Sequence, residues 1–218
     1  MIAGVSLIER VYQRAGKSEL ADAVYVATDD DRIASHVTSF GGRVVRPEGV
    51  FATGTDRIAA ALPMFDELYH QVVNIQGDEP LIDVAGIDAV IHALQTAPID
   101  MATLACPLDS DDEYSNRDVV KVVTDLHGNA MYFSRSPIPY GSRVLALRHI
   151  GVYGYQVDVL RRLSELDSSP LEAAESLEQL RALQNGFKIR VLHTDKPHLG
   201  VDRPEDVVRV ESEIAKLH

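Results

Sequence analysis

Val72-Val73-Asn74-Ile75-Gln76-Gly77-Asp78-Glu79-Pro80 decides how the rest of the chain is read. An apolar run that stops in a compact acidic turn is a buried strand with carboxylates at its carboxyl end. Gly77 lets the backbone turn tightly and Pro80 stops the strand. In open α/β sheets, ligands bind in the crevice outside the carboxyl ends of the strands. Hard cations such as Mg²⁺ take oxygen ligands, usually one or two carboxylates plus substrate phosphates. Asp78 is therefore a candidate to help bring a metal–nucleotide complex to the sheet. A plain strand terminus built from Asp and Gly accounts for this stretch equally well.

On either side of that stretch, helical and strand patterns alternate. Leu7, Ile8, Val11 and Ala15 have helical spacing, so a helix is expected over 5–15. Ala23-Val24-Tyr25-Val26-Ala27 reads as a buried strand ending at Thr28-Asp29-Asp30-Asp31, and these acids open a helix that Gly41-Gly42 stops. A short strand at Arg43-Val44-Val45 precedes a helix from about Asp56. A helix over 84–94 and a strand over 101–106 follow the opening stretch. This β-α-β-α order predicts a mostly parallel, Rossmann-like sheet with helices on both faces. The middle changes character. Val119–Val123 and Ala130–Ser134 flank Asp125-Leu126-His127-Gly128-Asn129, which predicts an inserted antiparallel hairpin. A strand over 149–155, one helix from Ser169-Pro170 to Gly186, a strand over 188–192 and a helix from Pro204 complete the chain. No repeat or linker interrupts it, so one domain over 1–218 is expected.

Composition narrows the function. The chain has 218 residues, 45% hydrophobic and 25% charged, as in an ordinary globular protein. Its net charge of −12 excludes the basic footprint that non-specific nucleic-acid or anionic-membrane binding needs. The single Cys106 excludes an intramolecular disulfide and a cysteine metal cluster. No apolar stretch is long enough to span a bilayer. A cytoplasmic location is expected, with small-molecule partners and no nucleic acid or membrane.

Other clusters carry possible chemistry, each with a plainer account beside it. Thr53-Gly54-Thr55-Asp56-Arg57 sets hydroxyls and a cation ahead of a helix, where backbone N–H groups suit phosphate. A capped helix start with a surface Arg explains the same residues. Arg135 leaves a strand through Ser136-Pro137-Ile138-Pro139, and the prolines restrict it to extended or turn geometry. It is either aimed into a cleft or an exposed loop Arg. His149, Gly151, Tyr153 and Tyr155 alternate onto one strand face, which suits a polyhydroxylated ligand or an ordinary half-buried strand. Glu178 and Gln179 are by default solvated helix residues. Asp202, just before Pro204, is by default an N-cap; its sharper role is a second metal carboxylate beside Asp78.

Taken in order, several blocks resemble a known family. They are Asn74-Ile75-Gln76-Gly77-Asp78-Glu79-Pro80, Met101-Ala102-Thr103-Leu104, Val120-Lys121-Val122-Val123, Tyr132-Phe133-Ser134-Arg135, Arg148-His149-Ile150-Gly151-Val152-Tyr153-Gly154-Tyr155, Ser169-Pro170-Leu171-Glu172, Leu177-Glu178-Gln179-Leu180-Arg181 and Gly200-Val201-Asp202. Their order and spacing are similar to the 3-deoxy-manno-octulosonate (Kdo) cytidylyltransferases, the CMP-Kdo synthetases, over nearly the whole chain. The Phe-Ser-Arg, Arg-His-Ile-Gly-Val-Tyr-Gly-Tyr and Leu-Glu-Gln-Leu-Arg blocks set the resemblance apart from sialic-acid cytidylyltransferases. It implies a Mg²⁺-dependent reaction in which the anomeric hydroxyl of Kdo attacks the α-phosphorus of CTP, releasing pyrophosphate, for lipopolysaccharide synthesis. It further implies that Gln76 and Thr53, Gly54, Thr55 and Arg57 serve the nucleotide and that Asp78 and Asp202 hold metal. Arg135, His149, Tyr153, Glu178 and Gln179 would line the sugar-acid pocket. A homodimer is expected. The alternatives are a related enzyme acting on another acidic sugar, such as 8-amino-Kdo, and a non-catalytic sugar-acid-binding module.

The family begins with an apolar strand and a glycine- and basic-rich loop that grips the triphosphate. Here Met1–Arg10 aligns with the segment after that loop. The domain is therefore expected to be N-terminally incomplete, to leave neighbouring strands unpaired, and to be poorly active and poorly stable as written.

Overall fold

In the computed structural model, which describes residues 1–51, 53–195, 199–201 and 203–216, strands and helices alternate along the chain. In order they are α1 (Leu7–Ala15), β1 (Val26–Ala27), α2 (Asp31–Ser39), β2 (Val44–Val45), α3 (Gly54–Ala61), β3 (Gln71–Asn74), α4 (Val84–Thr96), β4 (Met101–Pro107), α5 (Asp111–Ser115), β5 (Lys121–Thr124), β6 (Ala130–Ser134), β7 (Leu147–Gln156), α6 (Val157–Ser164), α7 (Pro170–Glu175), α8 (Gln179–Gln184), β8 (Ile189–His193) and α9 (Pro204–Lys216). They fall into two compact units. The first holds Met1–Leu68, Asn74–Asp88 and Pro197–His218; the second holds Tyr69–Val73 and Ala89–Lys196.

In the first unit, local chemistry sets the helix starts. The Ser6 hydroxyl caps α1 by accepting the Glu9 N–H, Asp30 caps α2 through the N–H groups of Arg32 and Ile33, and Thr53 caps α3 through the Asp56 N–H. Each supplies a partner for an N–H that the helix itself cannot satisfy. Gly42 is required by close approach, since a Cβ there would lie 2.6 Å from Val37 Cγ1. β1 and β2 pair in parallel, Val26 with Val44 and Ala27 with Val45. A separate core forms where Val210 and Ile214 of α9 pack on Ile2, with Leu7, Leu81, Leu199 and Val201 around them.

The second unit is built on a sheet of order β6-β5-β7-β4-β8, with β3 also paired to β7. The α/β class matches expectation, but the mostly parallel sheet does not. β4 pairs with β8 in parallel, whereas β4–β7, β5–β6 and β5–β7 are antiparallel. The hairpin expected from Asp125–Asn129 is β5–β6, and its antiparallel character spreads through the long strand β7. β4 is buried from Met101 to Cys106, as expected of a strand covered on both faces. α4 lies tightly on the sheet at Gly154, where a Cβ would fall within 2.8 Å of Leu94 Cδ1. β7 carries a bulge: Thr103 faces Tyr153 but Leu104 faces Ile150, so Gly151 and Val152 are looped out of the ladder.

The helix expected from Pro170 through Gly186 is two helices. α7 is closed at Ser169 by a capping box with Glu172, and it ends at Ser176 in the left-handed conformation, φ 54°. The chain then turns into α8. A buried ion pair holds the elbow, with Arg181 Nη2 donating to Glu172 Oε1 at 2.6 Å and Nε to Oε2 at 2.9 Å. No helix among the described residues is long and apolar enough to cross a membrane.

Candidate functional site

The nucleotide-side candidates lie in the first unit. Thr53 caps α3, and Gly54 and Thr55 form its first turn. A Cβ on Gly54 would sit 3.7 Å from Asn74 Nδ2, so this helix start lies beside the end of β3. Its N–H groups and dipole suit an anionic group. Arg57, one turn along, forms an ion pair with Asp29 at 3.6 Å; its Nε is buried and makes no hydrogen bond. Gln76 is exposed at the turn after β3 and Asp78 is half-buried. The Asp78 carbonyl accepts the Val201 N–H at 2.9 Å, which ties the turn to the segment leading into α9. The structure thus groups Thr53, Gly54, Thr55 and Arg57 on one helix and anchors Asp78 separately. The other expected metal carboxylate, Asp202, lies outside the described residues.

The sugar-side candidates lie in the second unit. Residues four apart in a regular strand are about 13 Å apart. Because Gly151 and Val152 leave the ladder, His149 and Tyr153 become same-face neighbours, and their rings lie 5.2 Å apart. Phe133 stacks edge-on against His149 at 5.0 Å and Tyr155 follows Tyr153 at 6.2 Å. The Thr103 hydroxyl lies 2.7 Å from the Val152 carbonyl and 3.0 Å from His149 Nε2. Its one proton goes to the carbonyl, so His149 Nε2–H donates to Thr103 Oγ1 and the imidazole is fixed in one tautomer. Burial pushes the Tyr153 phenol well above its ordinary value, and Tyr155 and the Glu178 carboxylate add to this. Tyr153 therefore stays a protonated donor, within electrostatic reach of Glu178. Gln179 opens α8 and is 6% exposed, yet its Nε2 makes no hydrogen bond. A buried amide donor of this kind is costly unless a ligand or an ordered water satisfies it.

Arg135 is held by backbone oxygens. Its Nε donates to the Glu175 carbonyl at 2.9 Å and its Nη1 to the Arg117 carbonyl at 3.2 Å. No carboxylate among the described residues forms an ion pair with it. Its charge is thus available to an anion. Within this unit His149 and Tyr153 form a half-buried polar pair, and Arg135, Glu178 and Gln179 lie in the same unit.

Three contributors were not singled out from sequence: Thr103, Lys121 and Glu175. Lys121 carried a readable signal, a lysine inside the apolar run Val119-Val120-Lys121-Val122-Val123. Glu175 carried none, because nothing local distinguishes it from a solvated helix residue.

A cytidylyltransferase family model matches residues 1–189. Over 230 residues the chain is 48% identical to the 3-deoxy-manno-octulosonate cytidylyltransferase of Syntrophotalea carbinolica, covering 99% of this chain and 91% of the relative. The chain belongs to the 3-deoxy-manno-octulosonate cytidylyltransferase family. The same-named protein of Geobacter metallireducens is 42% identical over 99% of this chain and 90% of its own length. A solved member, a CMP:2-keto-3-deoxy-manno-octonic acid synthetase complexed with CTP, superposes with a TM-score of 0.93 at 34% identity, covering all of this chain and 91% of that one. The 4-diphosphocytidyl-2C-methyl-D-erythritol synthase of Anaerococcus prevotii, at 15% identity and a TM-score of 0.67 over 99% of this chain and 91% of that one, shares the fold.

Proposed function

We propose that this chain transfers the cytidylyl group of CTP to Kdo, giving CMP-Kdo and pyrophosphate, and so activates the sugar acid for lipopolysaccharide synthesis. One observation carries the reading. The Arg135 guanidinium is fixed by carbonyls and forms no ion pair with a carboxylate among the described residues, in the unit that also carries the half-buried His149–Tyr153 face and the Gln179 amide. That combination suits a ligand with one carboxylate and several hydroxyls. The guanidinium would take the carboxylate in a charge-assisted contact, and Tyr153, Glu178 and Gln179 would meet hydroxyls. The anomeric hydroxyl then attacks the α-phosphorus of CTP. A new oxygen–phosphorus bond forms, the bond to the bridging oxygen of the β-phosphate breaks, and the hydroxyl proton passes to solvent.

On the nucleotide side, the first turn of α3 would receive phosphate oxygens through its N–H groups, with Arg57 adding positive charge. Gln76 would serve the cytidine. The donor set fits Mg²⁺. The Asp78 turn supplies a hard carboxylate, and its carbonyl accepts the Val201 N–H. Asp78 and Asp202 would hold the ion together with substrate phosphates, as Mg²⁺ prefers. Bound there, Mg²⁺ would neutralise charge on the triphosphate. A cytoplasmic homodimer completes the reading.

Pyrophosphate release tests it. Turnover is expected only when CTP, Kdo and Mg²⁺ are all present, with CMP-Kdo identified by mass spectrometry. Equal or faster turnover with N-acetylneuraminate, or no CMP-Kdo, overturns the proposal.

A further inference from the structure

Two charged side chains outside the polar face converge on Arg135. The Glu175 carboxylate accepts the Ser134 hydroxyl at 2.6 Å, the Arg135 N–H at 2.9 Å and the Tyr132 hydroxyl at 3.4 Å. The Glu175 carbonyl takes Arg135 Nε. From the other side, the Lys121 ammonium donates to the carbonyls of Arg135 at 2.5 Å, Val119 at 2.7 Å and Asn116 at 2.8 Å. Lys121 is fully buried, a rare position for lysine without such partners. The Arg135 backbone is thus gripped by one anion and one cation, and its guanidinium by two backbone carbonyls. Neither bonds to the outer guanidinium nitrogens, of which Nη1 donates to the Arg117 carbonyl.

We propose that Glu175 and Lys121 are positioning residues for the sugar-acid substrate. Together they lock the Tyr132–Arg135 strand end, so that the Arg135 guanidinium is aimed before the substrate arrives. The inference rests on Arg135 meeting the Kdo carboxylate, as proposed above. A long, flexible side chain normally loses freedom on binding, and fixing it in advance removes that cost from the binding step. A carboxylate in contact with the guanidinium itself would also orient it, but would compete with the substrate for its charge. Holding it by backbone carbonyls avoids this competition.

Steady-state kinetics of the full chain, varying Kdo and CTP in turn, provide the test. Glu175→Gln is expected to raise KM for Kdo by about tenfold, equivalent to ~1.4 kcal/mol, and to leave KM for CTP unchanged. Lys121→Met is expected to shift the same parameter. Combined with Arg135→Ala, Glu175→Gln is expected to add nothing to the effect of Arg135→Ala alone, because residues acting through one another are not additive. Equal rises in both KM values, or additivity with Arg135→Ala, overturn the positioning role and leave the Arg135 contact standing. If Arg135→Ala leaves KM for Kdo unchanged, the carboxylate contact fails and the positioning role falls with it. Should Glu175→Gln not fold, Ser134→Ala removes one hydrogen bond from the same carboxylate without changing charge. It is expected to raise KM for Kdo alone, and no rise there overturns the proposal.

Discussion

Arg57 and Arg135 are offered to anionic groups, one in each unit, and they are held by different means. Arg57 leans on a carboxylate, Asp29, and its side chain is 38% exposed. Arg135 leans on carbonyl oxygens, with a buried network behind it. The first unit presents mostly a helix start and chain turns, whereas the second presents a packed face of side chains. The contrast fits the ligands proposed for each. A triphosphate is recognised by charge and backbone N–H groups wherever its oxygens reach. A sugar acid is recognised by the fixed spacing of its carboxylate and hydroxyls. Rigidity therefore matters more in the second unit.

The sharpest way to break this comparison is at the nucleotide side. Asp78→Asn is expected to lower kcat by about 10²–10³-fold, the usual scale for removing one group that stabilises developing charge, with an unchanged thermal melt. A loss confined to KM for Kdo would place Asp78 with the sugar instead. The rigidity of the second unit is tested at its elbow. Arg181→Met leaves Glu172 buried and unpaired and is expected to cost roughly 3–5 kcal/mol of stability, read as a fall in melting temperature. Burial pushes the Glu172 carboxyl up, but Arg181 and the Ser169 N–H hold it below its ordinary value of 4.5. A depressed carboxyl contributes stability above its unfolded pKa and loses it as pH falls through the folded value. Melting temperature should therefore drop as the solution is acidified below pH 4.5, and less steeply in Glu172→Gln.

The two arginines can be compared directly. Arg135→Ala is expected to raise KM for Kdo by about 30-fold, the lower end for losing a buried charged contact. Arg57→Ala is expected to raise KM for CTP only about fivefold, as for a partly screened surface charge. Reversed magnitudes would reverse the assignment of rigidity. The smallest expected effect is at Ser176, whose left-handed backbone costs an L-residue roughly 1 kcal/mol. Ser176→Gly should raise the melting temperature slightly and leave both KM values unchanged.

Where neighbours in sequence decide the structure, the sequence was enough. Asp125 and Asn129 frame a hairpin turn, and Ser6, Asp30, Thr53 and Ser169 cap the helices that follow them. Where distant partners decide it, the sequence was silent. Ala23–Ala27 has strand composition throughout, yet only Val26 and Ala27 form a ladder, because only Val44 and Val45 pair with them. The break at Ser176 was hidden because Leu177, Leu180 and Arg181 keep helical spacing; the Glu172–Arg181 pair and the burial of Leu177 fix the turn. The sheet's direction escaped because alternation of helix and strand does not reveal that β7 returns antiparallel beside β4. In the candidate site, the residues proposed to face the ligand were named one by one. Of the supports, Lys121 showed only as a lysine in an apolar run and Glu175 not at all, since they act by contacts some 14 and 40 residues distant along the chain.

The loop-out of Gly151 and Val152 makes chain length a determinant of the His149–Tyr153 face. Deleting one of the two shifts the strand by an odd step and turns Tyr153 to the opposite face. Deleting both preserves which side every residue faces and straightens the ladder, so the hydrophobic pattern would look intact while the local twist that the bulge confers is lost. A gap of either size therefore alters the face on which His149 and Tyr153 meet.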